Sequence, residues 1–253
     1  MRIFLASLAH MLGVPPFQKT LKTDKPLYLL ETFYSGANKC KQVVNLVGEN
    51  NFLLDSGAYS FMSGAKCTLE TMNDYVSQYA KFIKENNIKY YMEIDVDNIF
   101  GLSQVEEWRH YLEKETNVPC IPVWHKGRGV DYYVKMCKEY EYVAIGGLVF
   151  HVNKAEWPAI KKMSLYGYYH GNKVHGLGFT KTRILDEFKW YSVDSCSWIL
   201  SAVRGSTLQQ FDGEKIVQRS IDRGQNKVDH NKLAEYNFKE WVKYQKYMNR
   251  KAW

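Results

Sequence analysis

The stretch WYSVDSCSW, residues 190 to 198, decides the reading of the fold. It is an aromatic and β-branched run with Asp194 at its centre, the pattern of a short buried strand that ends on an acid. Two earlier stretches have the same form. NFLLDSGAYSF (51–61) ends its apolar run on Asp55 and Ser56 before a small-residue turn, and KYYMEIDVDN (89–98) ends on Asp95 and Asp97. A barrel enzyme gathers its acids at one mouth by placing carboxylates at the carboxyl ends of several strands. The plain alternative for each Asp is that it caps the helix after its strand. Three such strands in one chain favour the shared mouth.

Working outward from these three, apolar runs alternate with longer stretches of helical period. The strand-like runs are RIFLASLA (2–9), PLYLLETF (26–33), FLLDSG (52–57), YYMEIDV (90–96), CIPVWH (120–125), YVAIGGLV (142–149), KVHGLGF (173–179) and YSVDSCSW (191–198). The Pro15-Pro16 pair breaks the segment after the first. Between 68 and 87, Met72, Tyr75, Val76, Tyr79, Phe82 and Ile83 recur at three and four, with Thr68 as the cap. Residues 103–116 form a second helix, with Ser103 and Glu106 as a capping box. Further helices are expected over 130–140, over 153–168 with Pro158 in the first turn, and over 180–188. Residues 230–251 form a basic amphipathic helix whose apolar side (Leu233, Tyr236, Phe238, Trp241, Tyr244, Met248) packs on the domain body. The polar region 212–231 reads as a loop. Eight strands with helical connections predict an α/β chain folded as a closed (β/α)8 TIM barrel, one domain over 1–253, with a C-terminal basic amphipathic helix. A doubly wound open sheet is the alternative.

The bulk numbers agree with a globular enzyme. The chain has 253 residues, 45% hydrophobic, enough for a sizeable core. A net charge of +7 permits a polyanionic partner without naming one. The five cysteines are odd in number and none are at Cys-x-x-Cys spacing, so a disulfide framework or compact zinc site is not expected, and a reduced, cytoplasmic compartment is. No apolar run approaches the roughly 20 residues that span a bilayer. No Gly-x-Gly-x-x-Gly follows a strand, and no phosphate loop ending in Gly-Lys-Ser/Thr occurs, which argues against dinucleotide or nucleoside triphosphate chemistry.

The strand ends offer Asp55 and Ser56, Asp95 and Asp97, His125, Gly146 and Gly147, His175 with Gly176 and Gly178, and Asp194 with Ser195. Acids beside exposed backbone suit holding a planar polar ring while a carboxylate attacks the neighbouring sugar carbon. A base edge is read by carboxylates and by backbone presented close up, which the glycine pair allows because no Cβ intervenes. The pair reads equally as strand-end punctuation, and His125 as a hydrogen-bonded core residue. A metal site built from His125, His175 and the acids has no diagnostic spacing, so none is expected.

LDSGAYSF, the acid in MEIDVD, PVWHKG, AIGGLV, HGLGFT and SVDSCSW occur in an order that resembles the tRNA-guanine transglycosylase superfamily, most of all its phage-encoded members that insert 7-deazaguanine bases into DNA. The resemblance runs from about residue 50 to 205. It implies a (β/α)8 barrel that cleaves the glycosidic bond to guanine through a covalent sugar–aspartate intermediate, which a preQ0-like deazaguanine then displaces. It implies Asp194 as nucleophile and Asp55 as acid/base partner. Ser56, Asp95, His125, Gly146, Gly147 and Leu148 then contact the base, and Arg204 holds phosphate. His125 falls near the family's base-contacting Gln, with Trp124 as the other alignment.

The family's Cys-x-Cys-x-x-Cys and later His, which hold a structural zinc and support tRNA docking, have no counterpart here, and Ala58-Tyr59-Ser60 replaces the usual Gly-Phe-Gln. The expected substrate is therefore DNA, its target guanine nucleotide flipped into the barrel mouth. The deazaguanine is co-substrate, there is no cofactor and no membrane, and the compartment is the cytoplasm (a host's, if phage-encoded). A tRNA-specific relative, a non-catalytic basic nucleic-acid-binding barrel and a sugar hydrolase using Asp55 and Asp194 are the other readings.

Overall fold

A computed structural model describes residues 1–62, 67–148, 153–179, 181–204, 207–221 and 229–251. Seven parallel strands form one sheet: β1 (Arg2–Ala6), β2 (Leu29–Thr32), β3 (Phe52–Asp55), β4 (Val123–Trp124), β5 (Tyr142–Ile145), β6 (Lys173–Gly176) and β7 (Ser192–Ser195). Their order is β3-β2-β1-β7-β6-β5-β4. In β1 to β5 alternate residues go to two separate apolar clusters, as the two-residue period of a strand requires, while in β6 and β7 one face carries the polar His175, Ser192 and Asp194. Phe4, Ala6, Leu30, Leu53, Val123 and Ala144 pack with Tyr28, Met92, Ile121 and Tyr142 in the smaller one. Ile3, Leu5, Leu29, Phe52, Leu54, Val143, Ile145, Val174 and Val193 pack in the larger one with the helices. Strands buried on both faces read as continuous apolar runs, which is why these segments were legible.

The fourth expected strand, 90–96, is the main departure. Only two isolated parallel bridges form there, Leu54 with Tyr91 and Met92 with Ile121. They place the segment between β3 and β4, the two edges of the sheet. The ladder fails to extend because side chains take its hydrogen bonds. The Met92 N–H still donates to the Leu54 carbonyl and the Glu93 N–H to that of Ile121 (both 3.0 Å), but beyond them the Val123 N–H donates to Glu93 Oε1 (2.7 Å) and the Tyr79 hydroxyl to the Met92 carbonyl (3.0 Å). The expected eight-stranded ladder is thus a seven-stranded parallel sheet with a bridging segment.

The helices are α1 (Pro15–Thr23), α2 (Ala37–Val47), α3 (Ala58–Met62), α4 (Leu69–Glu85), α5 (Asp97–Phe100), α6 (Leu102–Thr116), α7 (Gly129–Glu139), α8 (Trp157–Tyr169), α9 (Ser197–Val203) and α10 (His230–Arg250). Thr68 and Thr71 cap α4 reciprocally, and Pro158 lies in the first turn of α8. Pro15 and Pro16 begin a helix as well as ending the segment before it. The Ser103 capping box does not form: α6 starts one residue earlier, after Gly101, and Glu106 turns to Arg109, Tyr132 and Lys135. Of the helix expected over 180–188, only a 3₁₀ turn at Leu185–Glu187 is present, and Thr180 lies outside the described residues, as does Val149 at the end of the sixth expected strand. The region expected to be a loop contributes β9 (Ile216–Ser220), which pairs antiparallel with β8 (Thr207–Phe211); residues 222–228 lie outside the described residues.

Two buried amides on α10 fasten this C-terminal unit. Gln245 Nε2 donates to the carbonyls of Ile3 and Tyr28, both at 2.7 Å, and its Oε1 accepts from the Leu27 N–H. Asn237 donates to Trp198 and Thr207 carbonyls and accepts from the Gln209 N–H. Each amide satisfies backbone groups that burial would otherwise leave unpaired. Among the described residues no helix is long and apolar enough to cross a membrane.

Candidate active site

Because the strands are parallel, their carboxyl ends share one edge of the sheet. Asp55 closes β3, Asp95 follows the bridging segment, His125 follows β4, Gly146 to Leu148 follow β5, Gly178 follows β6, and Asp194 lies within β7. Three of the sequence-predicted acids are brought within electrostatic reach of one another. Burial pushes the Asp55 carboxyl up to about 7, with the charges of Asp95 and Asp194 adding to the rise. The unfolded chain ionises Asp55 near pH 4 while the folded chain resists, so this group costs stability as pH rises from about 4 through about 7. Asp55→Asn is therefore expected to stabilise the fold at pH 8, by about 1–3 kcal/mol, with the gain vanishing below about pH 4. Urea melts at the two pH values measure it, and a loss of stability at pH 8 would contradict the electrostatic reading.

Asp95 and His125 form a second unit, His125 Nε2 to Asp95 Oδ2 at 2.6 Å. Burial by itself lowers the basicity of His125, but the Asp95 hydrogen bond and charge outweigh it and raise the imidazole above its usual range. Gly146 lies against the face of this histidine: a Cβ there would sit 2.8 Å from Cε1 and 2.9 Å from Nδ1 of His125, and 2.9 Å from Val123 Cγ1. Gly147 follows with φ +73°, a conformation that favours glycine. Gly146→Ala is accordingly expected to push His125 off Asp95. The His125 imidazole then titrates at lower pH, visible by NMR; an unmoved titration would show that the ring tolerates the methyl.

Asp194 is held on one oxygen. The Gly178 N–H donates to Oδ1 at 2.6 Å, and His175 Nε2 lies 3.2 Å from the same atom. Gly178 has φ +67°, so the turn that aims its N–H at the carboxylate is one glycine favours. Ser56 is buried, and its hydroxyl has no hydrogen-bond partner among the described residues, while its carbonyl accepts from Tyr75. Leu148 is buried. Arg204 is exposed at the C-terminal end of α9; its charge is felt at Cys196, and no hydrogen bond joins it to the acids among the described residues. Its neighbours Gly205 and Ser206 lie outside the described residues.

Asp97 is tied by Arg128 to a buried ion network that sequence reading missed, while its charge still acts on His125. Glu93 Oε2 meets Arg109 Nη1 at 2.9 Å and Glu93 Oε1 meets Arg128 Nη1 at 2.6 Å, while Arg128 Nη2 holds Asp97 at 2.6 Å. Also unassigned from sequence were Ser192 and Tyr142, which line up behind His175. The available signal was period: Ser192 and Asp194 are two apart on one strand and so share a face. Among the described residues no group of three or more His, Cys, Asp or Glu side chains is arranged to hold a metal ion.

No family model and no curated protein matches the chain. Solved structures with some likeness include the carboxyl transferase domain of Rhizobium etli pyruvate carboxylase with pyruvate, at 14% identity and TM-score 0.49, covering 97% of this chain and 48% of that one. The 3,6-anhydro-D-galactonate cycloisomerase of Zobellia galactanivorans has 11% identity and TM-score 0.49, covering 93% and 66%. A citrate lyase of Burkholderia xenovorans has 9% identity and TM-score 0.45, covering 99% and 92%. The chain thus spans about half the length of the first of these and just under two thirds of the second. Likenesses of this degree say nothing of substrate or reaction.

Proposed function

We propose that this chain is a pentosyltransferase, a base-exchanging transglycosylase that replaces guanine in DNA with a 7-deazaguanine. The observation that carries the reading is the gathering of Asp55, Asp95 and Asp194, with Asp55 raised to about 7 by burial and by the other two charges. Carboxylates whose environments differ this much can divide the work of nucleophile and acid. The scaffold is read as a (β/α)8 barrel in which segment 90–96 serves as the eighth stave; the two bridges between β3 and the run into β4 support it.

In this mechanism the Asp194 carboxylate attacks the sugar C1′. The glycosidic C–N bond breaks, its electron pair leaves with the guanine, and Asp55 supplies the proton the departing base takes up. An incoming deazaguanine then yields its ring N–H proton to Asp55 while its nitrogen displaces Asp194 from C1′. Asp95 has one oxygen committed to His125, so the other accepts from the base's N–H edge. Gly146 and Gly147 offer backbone beside it, and Ser56 supplies a hydroxyl that has no hydrogen-bond partner among the described residues. Arg204 meets phosphate. The +7 charge suits that contact, and binding should weaken with salt.

The test is base exchange with labelled guanine or a labelled 7-deazaguanine, offered DNA or tRNA. Label entering DNA alone is the expected result. Label entering tRNA would keep the chemistry and change the substrate. Label in neither, with salt-sensitive binding retained, would favour a non-catalytic binding role.

A further inference from the structure

Behind Asp194 runs a string of buried polar groups across three neighbouring strands. Tyr142 Oη lies 2.5 Å from Ser192 Oγ, Ser192 Oγ lies 2.6 Å from His175 Nδ1, and His175 Nε2 lies 3.2 Å from Asp194 Oδ1. His175 and Ser192 are fully buried, and the ring of Phe4 meets His175 edge-on at 6.2 Å. The β-ladder pairs His175 with Ser192 directly, so the contact is built into strand register and does not depend on a loop.

The order of hydrogens along the string can be worked out. Ser192 Oγ is the one hydrogen-bond partner of the buried Tyr142 hydroxyl among the described residues, so the phenol proton is donated there. Ser192 has one proton, which then goes to His175 Nδ1. The ring proton is left on Nε2, facing Asp194. The reverse order would set the Nε2 lone pair against a carboxylate oxygen that is already an acceptor from Gly178. Both donors to Asp194, Gly178 and His175, fall on Oδ1.

We propose that His175 is a positioning residue: a neutral Nε2–H imidazole, fixed by Ser192 and Tyr142, that shares Asp194 Oδ1 with Gly178 and so turns Oδ2 toward the sugar as the attacking atom. The part that concerns sugar attack rests on the transglycosylase reading; the tautomer and the hydrogen bond that Ser192 gives Nδ1 do not. In the exchange the same two donors stabilise the carboxylate as it is displaced from C1′, the step in which its charge returns.

Two measurements separate the proposal from that reading. In ¹⁵N-labelled protein, histidine NMR should show His175 with its proton on Nε2 and an unprotonated, hydrogen-bond-accepting Nδ1, and Ser192→Ala should remove the hydrogen bond at Nδ1 and move its ¹⁵N resonance toward that of a free imidazole nitrogen while the proton stays on Nε2. An Nδ1–H tautomer or an imidazolium in the unaltered protein overturns the proposal whatever the enzyme does. In the exchange assay, His175→Leu should lower kcat about 10- to 100-fold with KM unchanged, the worth of one hydrogen bond to a charged group. His175→Gln, whose amide N–H has about the reach of Nε2, should recover most of it. Equal losses in the two variants overturn the positioning role. If His175→Leu does not fold, Ser192→Ala carries the test: a several-fold fall in kcat in a protein still folded at the assay temperature is expected, and an unchanged kcat overturns it. Absence of exchange in the unaltered protein would sink the transglycosylase reading and leave the tautomer result standing.

Discussion

Replacing Glu93 by glutamine is expected to cost the fold about 3–5 kcal/mol, the largest effect of any single substitution away from the mouth. Glu93 is fully buried and carries two cations, Arg109 and Arg128, whose side chains are 2% and 1% exposed. Burial disfavours both guanidinium charges, and Glu93 together with Tyr132 and Tyr140 at Arg109, and with Asp97 at Arg128, more than restores them. Removing one partner from such a cluster leaves charge buried without compensation, which costs far more than the intact cluster contributes. Glutamine also turns an amide N–H toward one of the arginines, or toward the Val123 N–H that Glu93 Oε1 now accepts. The damage should reach the site, since Val123 begins β4 and His125 follows it directly. A fall in the urea midpoint with an unchanged m-value is the expected signature. A cost below about 1 kcal/mol would mean that water reaches the arginines and that the network is no tighter than a surface pair.

The second large effect is on activity. Asp194→Asn should lower base exchange by at least about 10³-fold, as removal of a covalent nucleophile does elsewhere. Folding should be little changed. Asparagine keeps the carbonyl oxygen that Gly178 and His175 address, so both hydrogen bonds to Oδ1 survive. A melting temperature close to that of the unaltered protein, together with lost exchange, separates chemistry from structure. Retained exchange would remove Asp194 from the mechanism.

Much of the sheet was legible because parallel strands buried on both faces are written as apolar runs, as in Tyr142–Ile145. The strand-end positions of Asp55, Asp95, His125, Gly146 and Asp194 followed from those runs. What escaped reading did so for physical reasons. YYMEIDV has the composition of a strand, but sequence does not announce that the Glu93 carboxylate and the Tyr79 hydroxyl will take the ladder's hydrogen bonds. Helix α2 was missed because only Cys40, Val43 and Val44 are buried along it and no side chain caps its start. The hairpin of β8 and β9 was hidden by buried polar residues. Gln209 is fully buried, yet its amide is satisfied by Ser197, Ser201 and Trp241. Asp97 shares a strand end with Asp95, and only the position of Arg128, thirty-one residues on, turns it from a mouth acid into a structural one. Long-range partners of this kind decide the roles of polar residues, and local pattern does not carry them.

A sugar–enzyme bond at Asp194 is tested most directly by trapping it. Guanine-containing DNA would be incubated with the protein while released guanine is removed, then denatured and analysed by intact mass and by peptide mapping. The account predicts an adduct whose mass equals the chain plus the DNA less guanine, attached at Asp194 and absent in Asp194→Asn. Attachment at Asp55, or steady release of guanine from DNA with no adduct on a folded chain, would contradict it.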